Sequence, residues 1–217
     1  MSNYDIVAPY YDRLSRFVFG NKLKDAQQYL FQQIQPGSNV LIVGGGDGWA
    51  VETITNLCNQ GLSITYIDSS AKMIALAKER NRQGNEVEFI NACIEDVSLP
   101  GMYDYVFSAF LFDNFPQDLC NRIFYKISGH LKPGSMWLYV DFKNSDKLRH
   151  RFLLGFMYVF FRLLCGVEAR KLPEMGALFN SDDYYNTETK KWMEGFIMAQ
   201  VFVKKMHNDN NSTRNGN

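Results

Sequence analysis

The chain has little with which to build a metal or thiol centre. Of its 217 residues, three are His and four are Cys. The cysteines, Cys58, Cys93, Cys120 and Cys165, are scattered without C-x-x-C spacing, the pattern of reduced, buried thiols. No zinc spacing, H-E-x-x-H pair, P-loop or G-x-S-x-G elbow occurs, so no metal site, NTPase loop or serine nucleophile is predicted. Neither sign of charge is in surplus: 23 Lys and Arg balance 23 Asp and Glu. That balance gives no electrostatic footprint for nucleic acid. No apolar run reaches the ~20 residues that span a bilayer. The N-terminus, Met1-Ser2-Asn3-Tyr4-Asp5, has neither the basic nor the apolar region of an export signal, and the expected location is cytoplasmic. No internal repeat is found.

What the chain does have is aromatic bulk, with 17 Phe and 12 Tyr, which suits a large apolar pocket or lid. Its length fits one domain with a substantial core, drawn here as 1–206. The final stretch, 207–217, is Asn-rich and aperiodic, the composition of a disordered tail.

The organising stretch is Val40-Leu41-Ile42-Val43-Gly44-Gly45-Gly46-Asp47-Gly48. Apolar residues run from turn chemistry at 36–39 into a glycine turn, and Trp49 to Leu57 reads as a helix. Strand, glycine turn and helix make the first half of a nucleotide-binding βαβ unit, in which helix-start amides face a ligand. Leu62 to Ile67 reads as a second buried strand ending on Asp68, about 20 residues past the glycines, where an acid hydrogen-bonds ribose hydroxyls. A dinucleotide does not fit. The third small residue of G-x-G-x-x-G is replaced by Trp49, which bars the close helix packing that a pyrophosphate site needs.

This pattern resembles motif I of the class I S-adenosylmethionine-dependent methyltransferases. The resemblance implies a Rossmann-like α/β fold: a mostly parallel seven-stranded sheet, an antiparallel C-terminal hairpin and helices on both faces. It implies S-adenosyl-L-methionine as cofactor, with Gly44, Gly45, Gly46 and Gly48 facing its methionine part and Asp68 and neighbouring Ser69 at the ribose. One departure stands out: the family's acid two residues before the first glycine is Ile42 here. Tyr4-Asp5-Ile6-Val7-Ala8-Pro9-Tyr10-Tyr11-Asp12 is similar to the start of the small-molecule branch that includes quinone-biosynthesis C-methyltransferases. There the segment closes over the cofactor, which makes 1–35 an N-terminal lid and helix and puts Tyr11 at the sulfonium.

The remaining elements follow the same plan. Lys22 to Ile34 is a helix by the spacing of Leu23, Ala26, Leu30, Phe31 and Ile34. Ser69-Ser70 caps a helix running to about Arg82, and the resemblance sets Met73 against adenine. Glu86 to Ile90 alternates as a third strand. It delivers Asn91, Ala92 and Cys93, which the resemblance assigns to the adenine edge. Tyr103 to Phe110 is the fourth strand, whose end puts Ser108, Ala109 and Phe110 beside the transferable methyl. Asp113 and Asn114 fall near the acceptor. Asp113, Tyr10, Tyr11 and Asp141 are the candidate proton acceptors. A helix from Asp118 to Leu131, a Lys132-Pro133-Gly134-Ser135 turn and a strand from Met136 to Phe142 come next.

Asp146 to Val167 is apolar almost all round, within a helical insert at 145–180 that the resemblance makes part of the acceptor pocket. A dimer face or a membrane-surface helix through 152–165 are its competing uses. Two strands, Tyr184 to Trp192 and Gly195 to Val203, close the domain. The function read from the sequence is in-line methyl transfer to an apolar or aromatic small molecule. Two alternatives remain: a spermidine-synthase-like aminopropyl transferase, and a non-catalytic binding protein on the same fold.

Overall fold

The computed structural model describes residue 16 and residues 18–58, 61–166, 169, 171–180 and 183–206, the side chains of 161, 164 and 165 excepted. Seven strands form one sheet: β1 (Asn39–Val43), β2 (Ser63–Asp68), β3 (Glu86–Asn91), β4 (Tyr103–Ala109), β5 (Leu131–Phe142), β6 (Tyr184–Trp192) and β7 (Ile197–Lys204). Their order is β3-β2-β1-β4-β5-β7-β6, with β7 antiparallel to both its neighbours. The order reverses between β1 and β4, which pair in parallel from Val40–Tyr105 to Val43–Ser108. A crevice opens at such a reversal beyond the carboxyl ends of the strands.

Two helical layers cover the sheet. On one face lie α1 (Lys22–Phe31), α2 (Trp49–Cys58) and α3 (Ala71–Glu79); on the other are α4 (Gln117–Gly129) and the short α6 (Met175–Phe179). The strand period of two sorts β1 between them: Val40 and Ile42 pack into the first layer, Leu41 and Val43 into the second. Burial on both faces explains why β1 is a continuous apolar run. The second layer is aromatic, with Phe124 stacked on Trp137 at 5.1 Å and Phe179 on Phe202 at 4.0 Å. Helix α5 (Leu148–Cys165) follows β5 and packs Leu153, Leu154, Met157 and Tyr158 toward the first layer.

The expected α/β fold, with its mostly parallel seven-stranded sheet and C-terminal hairpin, is the one observed. Among the boundaries that differ, two have a visible cause. Strand β5 starts at Leu131, since Leu131 pairs with Tyr103 across the turn, and register is regained at Tyr105–Met136. Helix α3 stops at Glu79, not near Arg82. Arg80 turns extended (φ −69°, ψ 146°), and its guanidinium goes to Asp47 and Glu52. Helix α1 ends at Phe31, three residues before Ile34.

Candidate functional site

The glycine turn after β1 is held from three sides. The Gly44 amide donates to the Ile67 carbonyl at 2.9 Å, tying the turn to β2. The buried Tyr66 hydroxyl donates to the Gly46 carbonyl at 2.9 Å. Arg80 donates to the Asp47 carboxylate at 2.7 Å and to its carbonyl at 3.1 Å. Two glycines are there for space. A Cβ on Gly45 would sit 2.2 Å from the Tyr66 ring, and one on Gly48, at φ +82°, would sit 2.5 Å from the Ala77 backbone in α3. Gly48 therefore brings α2 and α3 together and does not line the cavity; Gly44, Gly45 and Gly46 do.

Asp68 ends β2 facing that turn. Its Oδ2 accepts from the Gly46 amide at 2.8 Å and its Oδ1 from the Ser70 amide at 2.9 Å. Both carboxylate oxygens are therefore engaged in fixing the loop that Asp68 faces. Asn91 lies outside the cavity lining. It is exposed and donates from Nδ2 to the Asp68 carbonyl at 3.0 Å, so it braces the acid from behind. The Ala92 amide is spent on that same carbonyl at 3.2 Å. Ala92 and Cys93 both line the cavity, together with Ser69, Met73 and Ile94.

The cavity has a volume of about 480 Å³ and sits at the β1/β4 reversal. Its far wall is apolar: Ala109, Phe110, Leu111, Phe115, Pro116 and Leu119. Phe110 has φ +50°, a left-handed value that is unusual and strained for a bulky residue. Its amide is fixed to the Val140 carbonyl at 2.9 Å and its ring lies 4.9 Å from Phe142. Asn114 also lines the cavity, and its amide donates to the Phe110 carbonyl at 2.9 Å and to Asp113 at 2.8 Å.

Ser108 and Asp113 are absent from that lining. The Ser108 hydroxyl accepts from the Trp137 indole at 2.9 Å and is buried. Asp113 is buried beside Asp141. Burial, and then the Asp141 charge, hold Asp113 well above the usual carboxylate range. Burial likewise lifts Asp141 to about 7, against the opposing pull of the Phe142, Phe112 and Asp113 amides. The Phe142 amide donates to Asp141 Oδ1 at 2.8 Å, while Asp141 Oδ2 has no hydrogen-bond partner among the described residues. Cys120 is buried close by with its thiol pushed up to about 12, the opposite of a reactive cysteine. Tyr10 and Tyr11 lie outside the described residues.

Some lining residues escape a sequence reading. Lys24 and Gln27 line the cavity from α1, and Lys24 lies 5.2 Å from the Trp49 ring centroid. Glu95 comes from the turn after β3. Helical spacing gives the face of α1 but not what that face meets. Ile42 is fully buried between its register partners Tyr66 and Phe107, so the position is part of the core. No cluster of three or more His, Cys, Asp or Glu that could hold a metal ion occurs among the described residues.

Residues 40–134 match the family model described as a methyltransferase domain. No curated protein sequence matches the chain. Several solved structures share its fold. The mitomycin 7-O-methyltransferase MmcR is 16% identical with a TM-score of 0.66 over 91% of this chain, which spans 59% of that protein's length. The 1,6-didemethyltoxoflavin-N1-methyltransferase of Burkholderia thailandensis, solved with 1,6-didemethyltoxoflavin and S-adenosylhomocysteine, is 14% identical with a TM-score of 0.65. That match covers 93% of this chain and 86% of the other. The N-methyltransferase NodS of Bradyrhizobium japonicum WM9, solved with S-adenosylhomocysteine, is 14% identical, with a TM-score of 0.64 over 87% and 88% of the two chains. What these chains have in common with this one is the class I methyltransferase fold.

Proposed function

We propose that this chain, which has the class I methyltransferase fold and matches a methyltransferase domain over residues 40–134, is an S-adenosylmethionine-dependent methyltransferase of an apolar or aromatic small molecule. One observation carries the reading. A single cavity has a glycine turn and Asp68 along one side and an almost wholly apolar wall along the other. The first side suits an adenosyl amino acid, the second an apolar acceptor.

The cofactor fits the residues present. Asp68 would accept the ribose hydroxyls, its carboxylate already pre-oriented by two amides. Met73 and Ile94 would flank the adenine, and the Cys93 amide would serve a ring nitrogen. The Gly44–Gly46 backbone lets the methionine part approach. With Ile42 in the core, no acid awaits the ammonium end there. Lys24 and Gln27 would meet the carboxylate end instead. When bound, the cofactor supplies an electrophilic methyl group on a sulfonium.

The chain's own work is alignment and dryness. Phe110 is pinned at a fixed angle by Val140 and Asn114, so the acceptor meets a rigid wall. Leu111, Phe115 and Leu119 exclude water, and Asn114 adds one polar side chain to that wall. The buried Asp113–Asp141 pair lies outside the cavity lining, so neither carboxyl is placed to take a proton beside the methyl. An acceptor that ionises in water needs no base. The lining from Ala109 to Leu119 includes no carboxylate, which is the wrong wall for a polyamine cation.

Calorimetric titration with S-adenosylhomocysteine tests the reading. The expected result is micromolar binding, weakened about tenfold or more by Asp68→Ala and about tenfold by Lys24→Ala. Absence of binding by the wild-type chain would sink it. Incubating the enzyme with labelled cofactor and an apolar cell extract should then put label into an aromatic compound.

A further inference from the structure

Helix α5 presents an outward face that none of the described residues covers. Leu148, Phe152, Phe156, Val159 and Leu163 are from 57% to 78% exposed. At about 100° per residue these five fall within an arc of about 80°. Leu154, Met157 and His150 lie on the opposite side and are half-buried or buried. The exposed stripe is thus one continuous apolar band along an 18-residue helix about 27 Å long. Scattered exposed leucines are ordinary in proteins, but a contiguous band of this length marks a contact surface.

The charges around the band identify what it contacts. The sequence of α5, LRHRFLLGFMYVFFRLLC, contains no acidic residue. Arg151 and Arg162 border the band along one edge, both exposed and neither in an ion pair among the described residues. Arg149 borders the other edge and, with Lys147, pairs with Glu194 in the turn between β6 and β7. That pairing fixes the helix N-terminus to the domain and leaves the band facing outward. A second copy of the chain is a poor partner. Parallel pairing would set each arginine against itself, and antiparallel pairing would set Arg149 and Arg151 against Arg162, with no acid on the helix to compensate. An apolar surface carrying negative charge meets both requirements. Phe and Leu side chains would enter the acyl boundary while the flanking arginines reach phosphates. No described helix is long and apolar enough to cross a membrane, so the contact would be in the plane of the surface.

We propose that the outer face of α5 is a docking surface for anionic phospholipid bilayers, with Phe152 and Phe156 as its apolar anchors and Arg151 and Arg162 as its headgroup contacts. Lipid binding by α5 is independent of what the cavity holds. Co-sedimentation of the full chain with vesicles tests it, using phosphatidylcholine alone and phosphatidylcholine with about one third phosphatidylserine. The wild-type chain is expected to pellet with the anionic vesicles and about tenfold less with the neutral ones. Phe152→Asp with Phe156→Asp should lose binding to both. Arg151→Glu with Arg162→Glu should lose the preference for anionic lipid while leaving weak neutral binding. All these side chains are exposed, and wild-type circular dichroism and melting will show that the variants fold.

Several results would overturn the proposal: no binding of wild type to anionic vesicles, equal binding to neutral ones, or wild-type binding by the phenylalanine variant. So would a dimer in the absence of lipid that the phenylalanine variant returns to monomer, since a second copy would then cover the band.

Discussion

Arg80 shows how few side chains hold the cavity rim. It leaves α3 at the point where the backbone turns extended, and grips Asp47 and Glu52 at 2.7 and 3.1 Å. Gly48 completes that junction, because α2 approaches α3 where no Cβ fits. Gly48→Ala should cost about 2 kcal/mol or more, combining positive-φ strain with a backbone clash, and urea denaturation will measure it.

Asp141 gives a pH signature. Its folded pKa, about 7, lies above the unfolded value of about 4. The folded chain therefore holds this proton more tightly than the unfolded one. Stability from this source is complete below about pH 4, declines as pH rises towards 7, and is lost above that. Asp141→Asn keeps an acceptor for the Phe142 amide and abolishes the titration. The variant's stability should fall less than the wild type's between about pH 5 and about pH 8, and at the upper end it should exceed the wild type's. Parallel urea melts at the two pH values will show the difference.

At the scale of elements, α1 and α6 are both held by contacts far away in sequence. Glu188 on β6 accepts from Tyr29 at 2.6 Å and from Gln33 at 3.0 Å. These bonds fix the helix that brings Lys24 and Gln27 to the cavity. Glu188→Ala should cost about 1–2 kcal/mol and also weaken S-adenosylhomocysteine binding, although it is not part of the cavity lining; calorimetry and melting measured together will show both. Helix α6 is only five residues long, yet its Phe179 lies within 4.0–5.8 Å of the rings of Phe124, Trp137, Tyr139, Tyr184 and Phe202. Phe179→Ala should cost about 3–5 kcal/mol in a denaturant melt.

The same elements show what could be read from sequence and what could not. The glycine turn and the strand-ending Asp68 were legible because their meaning lies in local order and spacing. The inner parallel strands were legible because strands buried on both faces are apolar throughout, and β3 because polar and apolar residues alternate along it. The contribution of α1 to the cavity was not, since Lys24 meets Trp49 only after the chain has folded back on itself. Nor was the placement of Asp113. Sequence puts it near the acceptor, but which way a residue in the 3-10 turn at Phe112–Asn114 faces is decided by packing against β5. The left-handed Phe110 has no sequence signal at all, since the residue type argues against it.

Over the whole molecule, the sheet joins the described elements, with β1 and β4 at its centre and both helical layers resting on it. Unfolding should be a single transition by calorimetry. S-adenosylhomocysteine at about a hundred times its Kd should add about 2.7 kcal/mol of stability, and Asp68→Ala should remove about half of that gain or more at the same ligand concentration.

The strand order has a last consequence. β7 is the last of the described strands, yet it lies inside the sheet between β5 and β6, and Lys204 at its end is anchored to the Ser128 and Leu131 carbonyls at 2.7 and 3.0 Å. During synthesis, β5 keeps an open hydrogen-bonding edge until that strand leaves the ribosome. A nascent chain halted before Ile197 would therefore expose a sticky flank to chaperones and to its own siblings.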